Sequence, residues 1–267
     1  MKYNIQGNKI AIIGYGYVGQ GYHKAFPDAV IYDEPKGIGT RDEVNQCDLA
    51  VVSVPTKMLE DGSCDTSIVK EVVGWIETPL ILIKSTIPPG TTDMLKEETG
   101  KRICFSPEYI GEGKYWVSPW KYPDPINPIS HNFQTIGGSS KDAEDIIGIL
   151  VEKLGPEKFY YSIDAIEAEI VKYMENSWGA MKVGFCQEFY DLCQVFNASY
   201  PKVREGFLLD SRVERMHTAV FPNRRKWGGK CWPKDVHAMV KKADDLGYSM
   251  DLLKQVIKNN NKFNEPK

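Results

Sequence analysis

One short stretch, Gly228-Gly229-Lys230-Cys231-Trp232-Pro233-Lys234-Asp235, gathers residue types suited to nucleophilic chemistry. Pro233 fits the first position of a helix, which puts Asp235 in the first turn and Cys231 just ahead of the positive end of the helix dipole. A thiol placed there, with Lys230 and Lys234 beside it, is biased towards the thiolate, the form that attacks a carbonyl carbon. Gly228 and Gly229 allow the backbone to come close to a substrate. Residue types alone leave two readings open: an activated nucleophile, or a packed cysteine beside a helix start. The remaining cysteines (Cys47, Cys64, Cys104, Cys186 and Cys193) form no C-x-x-C pair and sit near no histidine cluster. Neither a zinc site nor a disulfide framework is expected; they read as buried thiols, with Cys47 and Cys104 at strand edges.

A second constellation would hold a nucleotide. Gly14-Tyr15-Gly16-Tyr17-Val18-Gly19 directly follows an apolar run, Lys9 to Ile13, and opens a helical pattern ending near Phe26. In that setting the glycines of G-x-G-x-x-G permit a tight turn and close approach to a pyrophosphate, and the helix start supplies N–H donors. Asp33 ends the next apolar run, where an acid accepts hydrogen bonds from ribose hydroxyls and repels a 2′-phosphate, so NAD is expected rather than NADP. Lys36 and Arg41, close by in sequence, work against that preference.

The elements needed to position these residues are legible as alternation. Apolar runs at Lys9–Ile13, Val30–Tyr32, Leu49–Ser53, Leu80–Ile83, Arg102–Phe105 and Gln134–Ile136 are separated by amphipathic segments, which predicts a Rossmann-like, doubly wound parallel sheet. A proline- and aromatic-rich segment, Gly111 to Asn132, reads as an ordered loop over the ligand crevice. From about Asp164 the period changes: Ile166, Ile170, Met174, Trp178, Met181, Phe185, Phe189, Leu192 and Phe196 recur every three or four residues, predicting one helix of about 33 residues. A helix of that length spans between domains or forms a subunit interface. The expected organisation is a nucleotide-binding domain over 1–162 and a helical domain with a long central helix over 163–267.

Composition narrows the partner. The chain has 267 residues, 42% of them hydrophobic, and a net charge of −3. With no run of five or more like charges it carries no nucleic-acid or anionic-membrane footprint, so a small molecule is the expected partner. The longest apolar runs are strand length, far short of the ~20 residues of a membrane span. The first residues, Met1 to Gln6, lack the apolar core of a signal peptide, and the expected compartment is the cytoplasm.

Several further segments, in a fixed order, carry a family resemblance. After the glycine motif come Val54-Pro55-Thr56 with Glu60-Asp61-Gly62-Ser63, and Lys84-Ser85-Thr86-Ile87-Pro88-Pro89-Gly90-Thr91. Next are Ser106-Pro107-Glu108-Tyr109-Ile110-Gly111-Glu112-Gly113, then Glu169 to Asn176 with its Lys-x-x-x-Asn, then Asp210-Ser211-Arg212-Val213, and finally the Cys231 segment. In this order the chain resembles the UDP-glucose dehydrogenases, a nucleotide-sugar dehydrogenase family. The resemblance covers about the first two-thirds of a typical member, and the family's C-terminal UDP-binding domain has no counterpart here.

The resemblance implies a reaction and assigns roles. Oxidising a primary alcohol to an acid takes two hydride removals, and the intermediate aldehyde must be held between them. Cys231 would hold it as a thiohemiacetal and then as a thioester released by water. Lys172 and Asn176, four apart on one helix face, would stabilise the oxyanion. Asp235 would take the alcohol proton directly or through water, Thr86 and Glu108 would position water, and Glu112 is a further candidate. Val54, Pro55, Thr56 and Thr86 would line the cofactor with Gly14, Gly16, Tyr17, Val18, Gly19, Asp33 and Lys36. Tyr109, Ile110, Gly229 and Lys234 would contact the sugar nucleotide, as would Arg212 from a neighbouring subunit of a homodimer. UDP-glucose is the expected substrate. A single-step β-hydroxyacid-type dehydrogenase and a nucleotide-binding remnant are the alternatives.

Overall fold

A computed structural model of the chain describes residues 7–110 and 128–264. They fall into two compact units, residues up to Lys57 with Asp65–Lys172, and Met58–Cys64 with the residues from Tyr173 onward. Most of the expected 111–132 loop, and Glu112 with it, lies outside the described residues.

The first unit contains β1 (Ile10–Ile13), α1 (Tyr17–Ala25), β2 (Val30–Tyr32), α2 (Arg41–Asn45) and β3 (Leu49–Val52). A two-stranded ribbon, β4 (Lys57–Met58) and β5 (Cys64–Asp65), interrupts it. It resumes with α3 (Ser67–Trp75), β6 (Leu80–Ile83), α4 (Thr91–Thr99), β7 (Ile103–Phe105), β8 (Phe133–Gly137), α5 (Ser140–Leu154) and β9 (Phe159–Ile163). The sheet order is β2-β1-β3-β6-β7-β8-β9. Every neighbouring pair is parallel except β7 and β8, which meet antiparallel at Phe105 and Gly137. Two features depart from the expected all-parallel array: that junction, and β9, whose residues are exposed or half-buried and so leave no apolar run in the sequence.

The strand period of two sorts the core into two layers. Ala11, Ile13, Ala50, Val52, Ile81, Ile83, Ile103 and Phe105 pack on one face with Val44, Val69, Val72, Val73 and Leu95 of α2, α3 and α4. Ile10, Ile12, Leu49, Val51, Leu80, Leu82, Cys104 and Ile136 point the other way, against Tyr22 and Ala25 of α1 and Ala143, Ile146 and Leu150 of α5. Being covered on both faces, these strands are continuously apolar, which made them readable.

The long helix is α6 (Ala165–Val195), 31 residues, against about 33 expected from the period. The second unit adds α7 (Tyr200–Phe207), α8 (Trp232–Asp245) and α9 (Asp251–Asn261). The burial of α6 departs from the usual clean division of a surface helix. Its buried side mixes Glu169, Lys172, Asn176, Ser177 and Gln187 with Ala168, Tyr173, Ala180, Cys186 and Cys193, whereas Ile166, Ile170, Met174, Trp178, Phe185, Phe189 and Leu192 are exposed, Met174 by 73%. None of the six cysteines is in a disulfide; five are buried and Cys231 is half-buried. Cys47 follows α2 rather than edging a strand, and Cys104 is the middle residue of β7.

Candidate active site

The strand-to-helix turn after β1 is built as a phosphate cradle. Gly14 has φ of +88°, and a Cβ there would lie 2.6 Å from the Ser53 carbonyl oxygen. A Cβ on Gly19 would fall 2.0 Å from the Gly14 oxygen, whereas one on Gly16 would meet nothing within 4 Å. The backbone is thus packed tightly beneath the turn and open above it. No side chain caps the start of α1, and its first turn holds no acid, so the amides of Tyr17 and Val18 suit an anion. Asp33 ties its own strand end to the turn: Oδ2 accepts from Tyr15 N at 2.7 Å and Oδ1 from Lys36 N at 3.2 Å. Lys36 Nζ reaches back to the Tyr15 carbonyl and lies 3.5 Å from Asp33. Arg41 turns away, over Trp75 and towards Glu34 and Glu71, and is not beside Asp33. At the ends of β3 and β6, Val54 is buried, Pro55 is exposed, and Thr56 Oγ1 donates to the Thr86 carbonyl at 3.0 Å.

Beyond β7 the first unit buries charge. Lys172 Nζ lies 3.2 Å from Glu108 Oε1 and donates to the Glu108 carbonyl at 2.5 Å, while Glu108 Oε2 accepts from Ile110 N at 2.7 Å. Tyr109 lies beneath the Lys172 ammonium at 5.7 Å, with Phe133 edge-on to its ring. Sequence reasoning missed a second lysine in this cluster. Lys84, 1% exposed, donates to Ser106 Oγ at 2.6 Å and sits 4.8 Å over the Tyr22 ring. Burial pulls Lys84 down to about 7, the Glu108 carboxylate opposing and the Lys172 ammonium reinforcing. Burial likewise raises Tyr22 well above the usual phenol range, with Glu108 adding to the effect. Lys84 was visible only as part of the Lys-Ser-Thr run, since a lysine buried by distant neighbours leaves no local mark.

One turn before Lys172, Glu169 is fully buried and anchors the start of α4. It accepts from Gly90 N at 2.6 Å, Thr92 N at 2.8 Å and Thr92 Oγ1 at 2.6 Å. This fixes the Ile87–Thr91 turn that follows Thr86. Burial raises Glu169 above the usual carboxylate range, and these hydrogen bonds oppose the rise.

In the second unit Cys231 is the residue immediately before α8, with Pro233 in the first turn as its type predicts. Asp235, 1% exposed, accepts from Asn176 Nδ2 at 2.5 Å and from Lys234 Nζ. Gly229 takes φ of +87°, the left-handed region. Trp232 packs over Gly179 of α6, where a Cβ would lie 2.6 Å from the indole, and edge-on to His217, which burial lowers to about 4. Arg212 is exposed and bidentate to its neighbour Asp210. Thus Lys172 joins Glu108 in the first unit, and Asn176 joins Asp235 and Lys234 in the second. Among the described residues no cluster of His, Cys, Asp or Glu fits a metal ion.

The sheet order, with its reversal of direction beside β1 and an open glycine turn at that point, defines the first unit as a Rossmann-like dinucleotide-binding domain. The model of the NAD-binding domain of the UDP-glucose/GDP-mannose dehydrogenase family matches residues 38–123, and that of the family's central domain matches residues 166–262. The chain belongs to this family, and its first unit carries the family's NAD-binding domain, as the glycine turn and Asp33 led one to expect. The UDP-glucose 6-dehydrogenase of Haloferax volcanii is 30% identical over 81% of this chain and 53% of its own length. The chain spans about half the length of the curated relatives it matches. Among solved structures, a UDP-glucose dehydrogenase from Pyrobaculum islandicum superposes with a TM-score of 0.78 at 21% identity, over 98% of this chain and 70% of that one. A 3-hydroxyisobutyrate dehydrogenase from Mycobacterium tuberculosis does so at 0.66 and 14% identity, over 96% and 93%. At these identities the likeness is one of fold.

Proposed function

We propose that the chain oxidises the primary alcohol of a nucleotide sugar, UDP-glucose, to the carboxylate in two steps, with Cys231 holding the carbonyl between them. One observation carries the reading: a thiol stands at the start of α8, and Asp235, one turn in, is buried against Asn176 and Lys234. NAD, when bound, supplies the hydride acceptor for each oxidation.

Asp235, through a water, takes the hydroxyl proton as the first hydride leaves the alcohol carbon. Cys231 Sγ then bonds the aldehyde carbon, and the carbonyl pair moves onto oxygen, where the Lys172 ammonium and the Asn176 amide receive it. Loss of the second hydride from that carbon restores the carbonyl as a thioester. Glu108 takes a proton from water, which Thr86 helps to orient. The water oxygen bonds the acyl carbon, the C–S bond breaks, and the electron pair returns to Cys231 as thiolate. Tyr109, Ile110, Gly229 and Lys234 hold the sugar nucleotide in this reading.

A homodimer is proposed on the same footing. The outward stripe of α6 exposes seven large apolar side chains from Ile166 to Leu192, a face suited to burial against a second copy, which would bring exposed Arg212 to the neighbour's substrate. The cytoplasm, a reducing compartment, suits cysteines that form no disulfide.

A second reading is one hydride transfer on a small hydroxyacid with no covalent step, a reaction that needs neither the Cys231 thiol nor its placement at the start of α8. One experiment separates the two. The purified chain is given NAD with UDP-, GDP- and dTDP-sugars, and NADH is counted per sugar consumed. Two NADH per sugar are expected from the wild type, at most one from Cys231→Ala, and an accumulating acyl-enzyme from Cys231→Ser. Carboxylate formed by Cys231→Ala at the wild-type rate would refute the thioester route.

A further inference from the structure

The Cys231 segment is held from a distance. Four residues before the thiol, Trp227 is 4% exposed and packs among Ala180 of α6, Val236 of α8 and Val256 of α9. Its backbone is gripped by one side chain of α9: Trp227 N donates to Asn260 Oδ1 at 2.9 Å, and Asn260 Nδ2 donates to the Trp227 carbonyl at 3.0 Å. Asn260 is itself 4% exposed, so water does not replace it. This is the pairing that two neighbouring strands make, supplied here by an amide, and it fixes the Trp227 peptide in both position and direction. One residue beyond the thiol, Trp232 is seated on Gly179. Between these anchors lie Gly228 and Gly229, which carry no side chain to set the path, and Gly229 is already left-handed. Cys231 is tied to α8 by its own carbonyl, which accepts from Asp235 N at 2.9 Å, and the Trp227 anchor governs how the chain enters that start through two glycines, and with it the direction in which the thiol is presented.

We propose that Asn260 is a positioning residue for Cys231, acting through the Trp227 backbone, so that the last described α-helix sets where the nucleophile stands. The proposal rests on Cys231 being the nucleophile, and its test has one arm that needs no turnover. Iodoacetamide alkylation of Cys231 in the full chain is followed by peptide mass spectrometry across pH for wild type, Asn260→Leu and Asn260→Asp. Asn259→Ala is the control, since Asn259 bonds Glu188 and Gln255 at the surface of the same helix.

Leucine keeps the volume and loses both hydrogen bonds; aspartate keeps the acceptor for Trp227 N and loses the donor. The expected result is a Cys231 alkylation profile displaced to alkaline pH by about one unit in Asn260→Leu and by less in Asn260→Asp. The control should be unchanged, as should the five buried cysteines. With a turned-over sugar nucleotide, kcat should fall about tenfold with KM within about twofold, as loss of a transition-state placement requires. A purely structural role lowers the melting temperature and moves neither the profile nor that split. Folded Asn260→Leu or Asn260→Asp with the wild-type profile would overturn the proposal. Should Asn260→Leu not fold, Asn260→Asp alone decides it. A wild type inactive on every sugar would count against the proposed reaction, and the alkylation arm would still decide the role of Asn260.

Discussion

Glu169 offers a measurement in which charge, hydrogen bonding and pH can be separated. Its Oε1 accepts from both Thr92 N and Thr92 Oγ1, and its Oε2 accepts from Gly90 N, all at 2.6 to 2.8 Å and without exposure. Glu169→Gln keeps the volume and the first oxygen but aims an NH2 group at Gly90 N. A charge-assisted bond of about 1.5 to 3 kcal/mol is lost and a buried donor is left unsatisfied, while the desolvation of a carboxylate is relieved. The expected net loss is about 2 to 3 kcal/mol, or ~5 to 10 °C in a unit of this size. Glu169→Ala, which strands both amides, should cost about 4 kcal/mol. The pH dependence has a definite sign. Folding raises this group above its unfolded value, so the folded state binds the proton more tightly, and its contribution is full below the unfolded carboxylate range and erodes as pH rises through the folded value. The stability gap between wild type and Glu169→Gln should therefore narrow from pH 4 towards pH 8. Urea unfolding at three pH values reads both quantities. A gap that widened with rising pH would contradict the raised value, and a Gln variant as stable as wild type at every pH would show that Glu169 does not hold the start of α4.

Lys84 should give the opposite slope. Its folded value near 7 lies below the unfolded 10.5, so stability rises with pH between the two, by up to about 1.4 kcal/mol per unit, and Lys84→Met should flatten that rise. An unchanged slope in the variant would place the titration elsewhere. For the cofactor, NAD should raise the melting temperature more than NADP at equal concentration, because Asp33 faces the glycine turn while Arg41 is occupied elsewhere. An equal or reversed shift would mean that Lys36 or Arg41 receives the 2′-phosphate. Charging the outward stripe of α6 with Phe185→Glu and Phe189→Glu should convert a dimer into a folded monomer in sedimentation at micromolar concentration. A wild type already monomeric there would remove the dimer.

What was legible in the sequence was periodic or local. Strands covered on both faces by helices wrote themselves as runs such as Ile10–Ile13 and Leu80–Ile83, and Pro233 marked the start of α8. The spacing of Lys172 and Asn176 placed both on one face of α6, while the spacing alone fits a solvated face and only the fold shows that this face is buried. The missed features share a physical cause: they depend on partners far along the chain. Glu169 meets Gly90 and Thr92, Lys84 meets Ser106, and Asn260 meets Trp227, and no one of these residue types differs in sequence from a solvated neighbour. Strand β9 was missed for the opposite reason, since its exposed Phe159 and Tyr161 carry no burial pattern to read.

The two glycines in the middle of α6 divide sharply in what they tolerate. A methyl group on Gly179 would drive into the Trp232 ring, which is itself wedged against His217, whereas one on Gly184 would meet nothing within 4 Å. Each weakens the helix by about 1 kcal/mol relative to alanine, yet only at Gly179 does the vacant space serve a neighbour. In a library of alanine replacements, Gly184 is therefore a position where rigidity is available without consequence for Trp232, and Gly179 one where the same edit trades helix strength for the seat of the indole that follows Cys231. Engineering for heat resistance would start at one and leave the other untouched.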